Sequence, residues 1–219
     1  MHFQCVCYFV LAERNMVDVA ILLGAHGAKK DVFFQGQLDF ITKLFDKYKI
    51  STKDVLPGGI RYGKDATVVI KLGDVSTRED AKFEFTKITN PGDGNNLDVA
   101  LISARDILFK DARRRSHKTI LIFVDKKLQN VDAWSLSRIT KSLRDIGIRI
   151  VVVGIGNEVD QAEIESIAPN DKACVFSPED LIALNRLVIP VRDCTLPGKF
   201  LCSMQNIEYI KIVPHGFKD

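Results

Sequence analysis

The sequence predicts a doubly wound α/β domain: a mostly parallel central sheet flanked by helices, with one antiparallel edge strand. Three observations carry this. Short apolar runs alternate with segments of helical periodicity, so successive strands need crossover connections. The runs Val17–Leu23, Thr119–Val124 and Ile148–Val153 are apolar nearly throughout, as strands covered on both faces are. Gly63-Lys64-Asp65-Ala66 is a tight turn between two short β-like runs, which places a hairpin at 59–72 on one edge.

The elements follow in order. Val17–Leu23 is the first buried strand. Val32–Ile50 carries Phe33, Leu38, Ile41, Leu44, Phe45 and Tyr48 at helical spacing. Pro57-Gly58-Gly59 breaks the pattern before the strands Gly59–Tyr62 and Thr67–Leu72. Ser76-Thr77-Arg78-Glu79 opens a short helix with a capping-box look. The loop Asn90–Gly94 precedes a helix over Leu97–Phe109, with Leu97, Leu101, Ala104 and Leu108 on one face. After the strand Thr119–Val124, Val131–Ile146 is amphipathic, its apolar set being Trp134, Leu136, Ile139, Leu143 and Ile146, with Gly147 as C-cap. Ile148–Val153 is the most hydrophobic strand. Gln161–Ala168 is a short helix stopped by Pro169, Ala173–Phe176 a last strand, and Ser177-Pro178 a helix start continued by Leu181–Ile189.

Length fits one domain with short extensions: an N-terminal segment 1–16, a domain 17–190 ended by Pro190, and a C-terminal extension 191–219. With 46% hydrophobic and 27% charged residues the chain can bury a core without staples. A net charge of +3 is too small to predict nucleic-acid or membrane binding. The densest basic run, Arg113-Arg114-Arg115-Ser116-His117-Lys118, reads as a solvated connector between helix and strand. No apolar stretch approaches the ~20 residues that span a bilayer. Phe3–Ala12 is an apolar decamer followed by Glu13-Arg14-Asn15 and without a basic n-region, compatible with a clipped signal peptide, an extra strand or an effect of where the chain starts. Of Cys5, Cys7, Cys174, Cys194 and Cys202, Cys174 reads as a buried thiol, and the spacings suggest no zinc site.

Ligands of open α/β sheets bind outside the carboxyl ends of the strands, where strand order reverses. Three segments converge there: Gly24-Ala25-His26-Gly27-Ala28 after the first strand, Gly92-Asp93-Gly94-Asn95-Asn96 opening a helix, and Asp125 after Thr119–Val124. With Gly147–Gly156, their order and spacing over about 17–190 resemble the von Willebrand factor A domain, a Rossmann-like fold. In that family the three loops hold a divalent cation, the first supplying Asp-x-Ser-x-Ser. Here Gly24, His26 and Ala28 stand at those positions, and Asn95 takes the place of a threonine. Asp125 is kept.

The resemblance therefore implies a degenerate metal site. A hard cation needs several oxygen ligands, and Gly24 and Ala28 offer no side-chain oxygen. The remaining candidates are Asp125, Asn95 and His26, with Asp93 beside them. His26 suits a softer transition metal, and His26, Asp125 and Asp93 are the sharper alternative site. The plainer readings are a solvent-facing loop histidine and an aspartate capping the next turn. The reading is that the usual cation is not held and no cofactor is needed.

The Gly24–Ala28 loop lacks both Gly-x-Gly-x-x-Gly and Gly-Lys-Ser/Thr, which argues against nucleotide binding. Catalysis finds no Gly-x-Ser-x-Gly elbow, and the histidines are scattered. Trp134 and the pair Phe33/Phe34 read as core rather than ligand platforms. The resemblance implies a secreted, non-catalytic protein-binding module of the extracellular matrix or an adhesion protein. Its implied partners are collagen-like or other matrix components, with no nucleic acid and no membrane insertion. It also implies a bridge from Cys194 to Cys5 or Cys7, as extracellular members of the family have. An intracellular scaffold domain with reduced cysteines, and a nucleotide- or metal-dependent enzyme on the same sheet, are the alternatives.

Overall fold

The computed structural model describes residues 16–24, 30–92, 94, 96–126, 132–158 and 167; for 30, 125–126 and 155–158 it describes the backbone alone. The last predicted strand and helices, the extensions and all five cysteines lie outside these residues. Five strands form one sheet in the order β3-β2-β1-β4-β5. They are β1 (Val17–Leu23), β2 (Val55–Tyr62), β3 (Ala66–Ile70), β4 (His117–Lys126) and β5 (Ile148–Glu158). β2, β1, β4 and β5 are mutually parallel, and β3 runs antiparallel on the edge beside β2. The predicted architecture and its edge hairpin are both present.

Alternation along β1 divides the core. Val17, Val19, Ile21 and Leu23 face α1 (Lys30–Phe45) and α2 (Arg78–Thr86), packing with Phe40, Ile41, Phe45 and Phe85. Ala20 and Leu22 face α3 (Leu97–Ser103) and α4 (Ala133–Asp145), packing with Leu97, Leu101, Leu136 and Leu143. Both faces of the sheet are covered, which is why its strands read as continuous apolar runs.

Pro57-Gly58-Gly59, expected to break the pattern, lies inside β2. β3 pairs β2 only from Gly59 onward, so Pro57 sits where β2 has one neighbour and a missing N–H is tolerated. The glycines serve close packing. A β-carbon at Gly58 would lie 2.8 Å from Leu108 Cδ1, and one at Gly59 would contact Phe85 and Ile88 at 3.4–3.5 Å. Each glycine lets a helix side chain from its own face approach the sheet.

The helices also depart from expectation. α1 ends at Phe45, and Tyr48 and Ile50 are buried in the connection that follows. Thr77, not Ser76, caps α2: its hydroxyl accepts from the Asp80 amide and donates to the Asp80 carboxylate. α3 is seven residues long and passes into a π turn, Ala104–Leu108, and a 3-10 turn, Phe109–Asp111. The wider turn carries Leu108 and Phe109 inward together. In α4, Leu136, Ile139 and Leu143 are buried as expected, but Trp134 is 68% and Ile146 61% exposed. Trp134 belongs to the first turn, beyond the stripe that meets the sheet, and its ring stacks under Arg138 at 4.8 Å.

The basic run is not simply a solvated connector. Asp18, the one carboxylate in β1, is fully buried. Arg113 meets it through Nε at 2.8 Å and through its backbone amide at 2.8 Å. The remaining guanidinium nitrogens donate to the carbonyls of Thr52, Val17 and Asp54. The Ser116 hydroxyl also donates to Asp18. A buried charge of this kind must be paired and hydrogen-bonded, and here it is.

Candidate functional site: the crevice between β1 and β4

The four parallel strands end at one edge. The chain leaves β1 for β2 on one side and returns to β4 on the other, so strand order reverses between β1 and β4. That is where an open α/β sheet has its binding crevice. β1 and β4 are in register up to Leu22 and Ile122. Continued by two residues, the register sets Gly24 level with Val124, with Asp125 just beyond.

Gly24 is the best defined part of this crevice. Its carbonyl accepts from Gln37 Nε2 at 2.6 Å, a buried bond from a fully buried amide on the inner face of α1. The side of Gly24 that a side chain would occupy is filled by Tyr62. A β-carbon there would lie 2.7 Å from two ring carbons of Tyr62 and 2.8 Å from its carbonyl oxygen. Tyr62 ends β2, and its hydroxyl donates to the Phe123 carbonyl of β4 at 3.3 Å. The fully buried ring thus reaches from β2 across the end of β1 to β4. The absent side chain at position 24 leaves no gap.

The second loop is docked rather than open. Gly94 has φ +121°, and a β-carbon on it would lie 2.1 Å from the Lys64 amide nitrogen. Asn96 donates its backbone amide to Gly63 O at 2.9 Å and its side-chain amide to Lys64 O. Asn96 precedes α3 without capping it, because its side chain is used on the β2–β3 turn. Asn90 Nδ2 donates to Asp31 of α1 at 2.8 Å, tying this loop to the start of α1.

Of the predicted site residues, Asp125 lies in the backbone of β4 next to the end of β1, while its side chain and the whole of His26, Asn95 and Asp93 lie outside the described residues. No group of three or more His, Cys, Asp or Glu residues that could hold a metal occurs among the described residues. At Gly24, where the resemblance expects a carboxylate ligand, there is no side-chain oxygen, the carbonyl is held by Gln37, and Tyr62 fills the space. This part of the site does not fit a hard divalent cation. No sequence motif marks Tyr62 or the docking role of Asn96. Gln37 belongs to the buried series Phe34, Gln37, Leu38, Ile41 of α1, while nothing in the linear pattern pairs Tyr62 with Gly24.

A doubly wound sheet whose strand order reverses between β1 and β4 is the architecture that comparison with known proteins identifies. The von Willebrand factor type A domain profile matches residues 18–188, and the chain belongs to this family. The human collagen alpha-1(XXI) chain is 28% identical over 148 residues, 67% of this chain and 15% of the collagen. Matrilin-1 of Gallus gallus is 24% identical over 157 residues, 70% of this chain and 31% of the matrilin. The chain thus spans less than a third of the length of these relatives. Among solved structures, proximal thread matrix protein 1 from the mussel byssus superposes with TM-score 0.67 at 21% identity, covering 80% of this chain and 45% of that one. The manganese-loaded TRAP protein of Plasmodium vivax gives TM-score 0.69 at 16% identity, covering 80% and 74%. These two likenesses speak for the fold.

Proposed function

We propose that this chain is a non-catalytic protein-binding module of a secreted matrix or adhesion protein, and that it binds its partner without Mg²⁺ or Ca²⁺. The matrix assignment is supported by membership of the family and by relatives that are collagens and a matrilin. Partners of the same class, collagen-like or other matrix proteins, fit this reading. The observation that carries cation independence is the packing of Tyr62 against Gly24, where a ligand carboxylate would have to stand. A cation left to Asp125, Asn95 and His26 would lack most of the oxygen shell that Mg²⁺ or Ca²⁺ needs. Binding then falls to loop surface and helix faces.

Thermal unfolding in EDTA, Mg²⁺, Ca²⁺, Mn²⁺ and Zn²⁺ tests this, on wild type and Asp125→Ala. A cation at about 100 times its dissociation constant adds about 2.7 kcal/mol, a shift of several degrees. The expected result is one melting temperature in EDTA, Mg²⁺ and Ca²⁺ for both proteins. A rise with Mg²⁺ or Ca²⁺ in wild type that Asp125→Ala abolishes would restore a cation-bridged site and sink the proposal. A shift confined to Zn²⁺ or Mn²⁺ and lost in Asp125→Ala would replace it with the transition-metal site.

A further inference from the structure

The pole opposite the loop edge carries a concentration of cations that the small net charge conceals. Ser116 N donates to Arg113 O at 3.1 Å, closing a four-residue turn with Arg114 and Arg115 at its centre. Both are exposed. Arg113 points the other way and locks the turn to the sheet through Asp18 and to the 51–54 loop through Thr52 O at 2.9 Å. That contact sets exposed Lys53 beside the turn, and exposed Lys110 lies just before it in the chain. Val55, Val17 and His117 stand in one row across β2, β1 and β4. Lys53 and Arg115 each precede that row by two residues, in the turns that lead into β2 and β4.

The carboxylates of this pole are largely neutralised. Asp18 pairs with Arg113 and Asp54 with Lys49. Among the described residues Lys53, Lys110, Arg114 and Arg115 have no ion-pair partner, and Asp111 is the one nearby acid without a cation.

We propose that this pole binds a sulfated polysaccharide. A fixed turn presents two guanidinium forks, which suit tetrahedral oxyanions. Two lysines extend the positive strip to a length that needs a polyanion rather than a single ion. The exposed aromatics among the described residues, Phe83 and Trp134, belong to α2 and to the first turn of α4. The strip therefore has no stacking platform of the kind single-stranded nucleic acid uses, and no element shaped to enter a groove. The polymer's class, a matrix polyanion, rests on the matrix reading above; the cation strip itself does not.

Retention of the full chain on immobilised heparin, against salt, is the test. Arg114→Ser/Arg115→Ser is compared with Lys64→Ser/Lys87→Ser, which removes the same charge elsewhere on the surface. Wild type and control should elute together, and the arginine variant earlier. Its slope of log affinity on log salt should fall by about two, nearly one per lost contact. No retention of wild type at physiological salt, or equal loss in both variants, would overturn the pole site and leave the matrix module standing. A DNA or RNA duplex that displaces the protein at lower concentration than soluble heparin would overturn the sulfated-polymer assignment and count against the matrix reading as well.

Discussion

Arg113 and Asp18 illustrate how much depends on which residue of a basic triplet is used. Three arginines in a row look alike as sequence, and the chain turns the first inward and the next two outward. What decides between them is Asp18, a charge near the start of a central sheet strand that cannot stay buried alone. Its even position in β1 points it toward the face where the 113–116 turn arrives. Removing one partner of a buried pair leaves an uncompensated charge, which costs about 3–5 kcal/mol. Arg113→Ala should therefore lower the chemical denaturation free energy by that amount, while Arg114→Ala stays within about 0.5 kcal/mol of wild type. Arg113→Lys keeps the charge but loses the fork that reaches Thr52, Val17 and Asp54, and should fall between the two. Equal effects at 113 and 114 would show that the buried pair adds little.

At the scale of elements, the sequence exposed whatever depends on periodicity and hid whatever depends on contact between distant segments. β1, the edge hairpin and the buried stripe of α4 were legible because alternation and 3.6-residue spacing are local signals. β2 was clipped because Pro57-Gly58-Gly59 reads as a breaker; its reason for being glycine is Leu108, fifty residues later. The candidate site divided in the same way. The substitutions at Gly24, His26 and Ala28 were visible at once, whereas the tyrosine that closes on Gly24 arrives from another strand. Trp134 failed differently: an aromatic near a helix start satisfies the spacing of the stripe without facing the sheet. Its neighbour Asp132 is the residue that secures α4, accepting from the amides of Trp134 and Ser135 at 3.2 Å each. Asp132→Ala should cost about 1 kcal/mol as a lost N-cap. Trp134→Ala should cost about 1 kcal/mol at most, from its exposed contact with Arg138. Urea midpoints of the two variants check this, and a much larger loss for Trp134→Ala would mean the ring is packed after all.

For the whole molecule, the ionisable groups set a window of pH over which the fold keeps its stability. On the acid side, Lys82 hydrogen-bonded to Asp46 lowers that carboxyl, and Arg105 does the same for Asp106. A depressed carboxyl contributes stability that is present above its unfolded value near 4 and is lost as pH falls through the folded one. Both carboxylates are exposed, so this limb is shallow and screened by salt. On the alkaline side the cause is burial. Tyr48 lies in the core cluster beside α1, its hydroxyl has no hydrogen-bond partner, and burial raises its pKa well above the ordinary phenol value. The unfolded chain releases this proton near pH 10 while the folded chain holds it, so the native state binds more protons there. Stability is then complete below about pH 10 and falls above it by about 1.4 kcal/mol per pH unit for this one group. Tyr48→Phe removes both the titration and an unpaired buried hydroxyl, and should be as stable as wild type or more so at pH 7. Denaturation free energies of the two proteins from pH 7 to 11 should diverge above pH 10, with wild type falling faster. Parallel curves would mean that Tyr48 reaches solvent before the chain unfolds globally, which would make the connection between α1 and β2 a locally opening segment rather than part of the core.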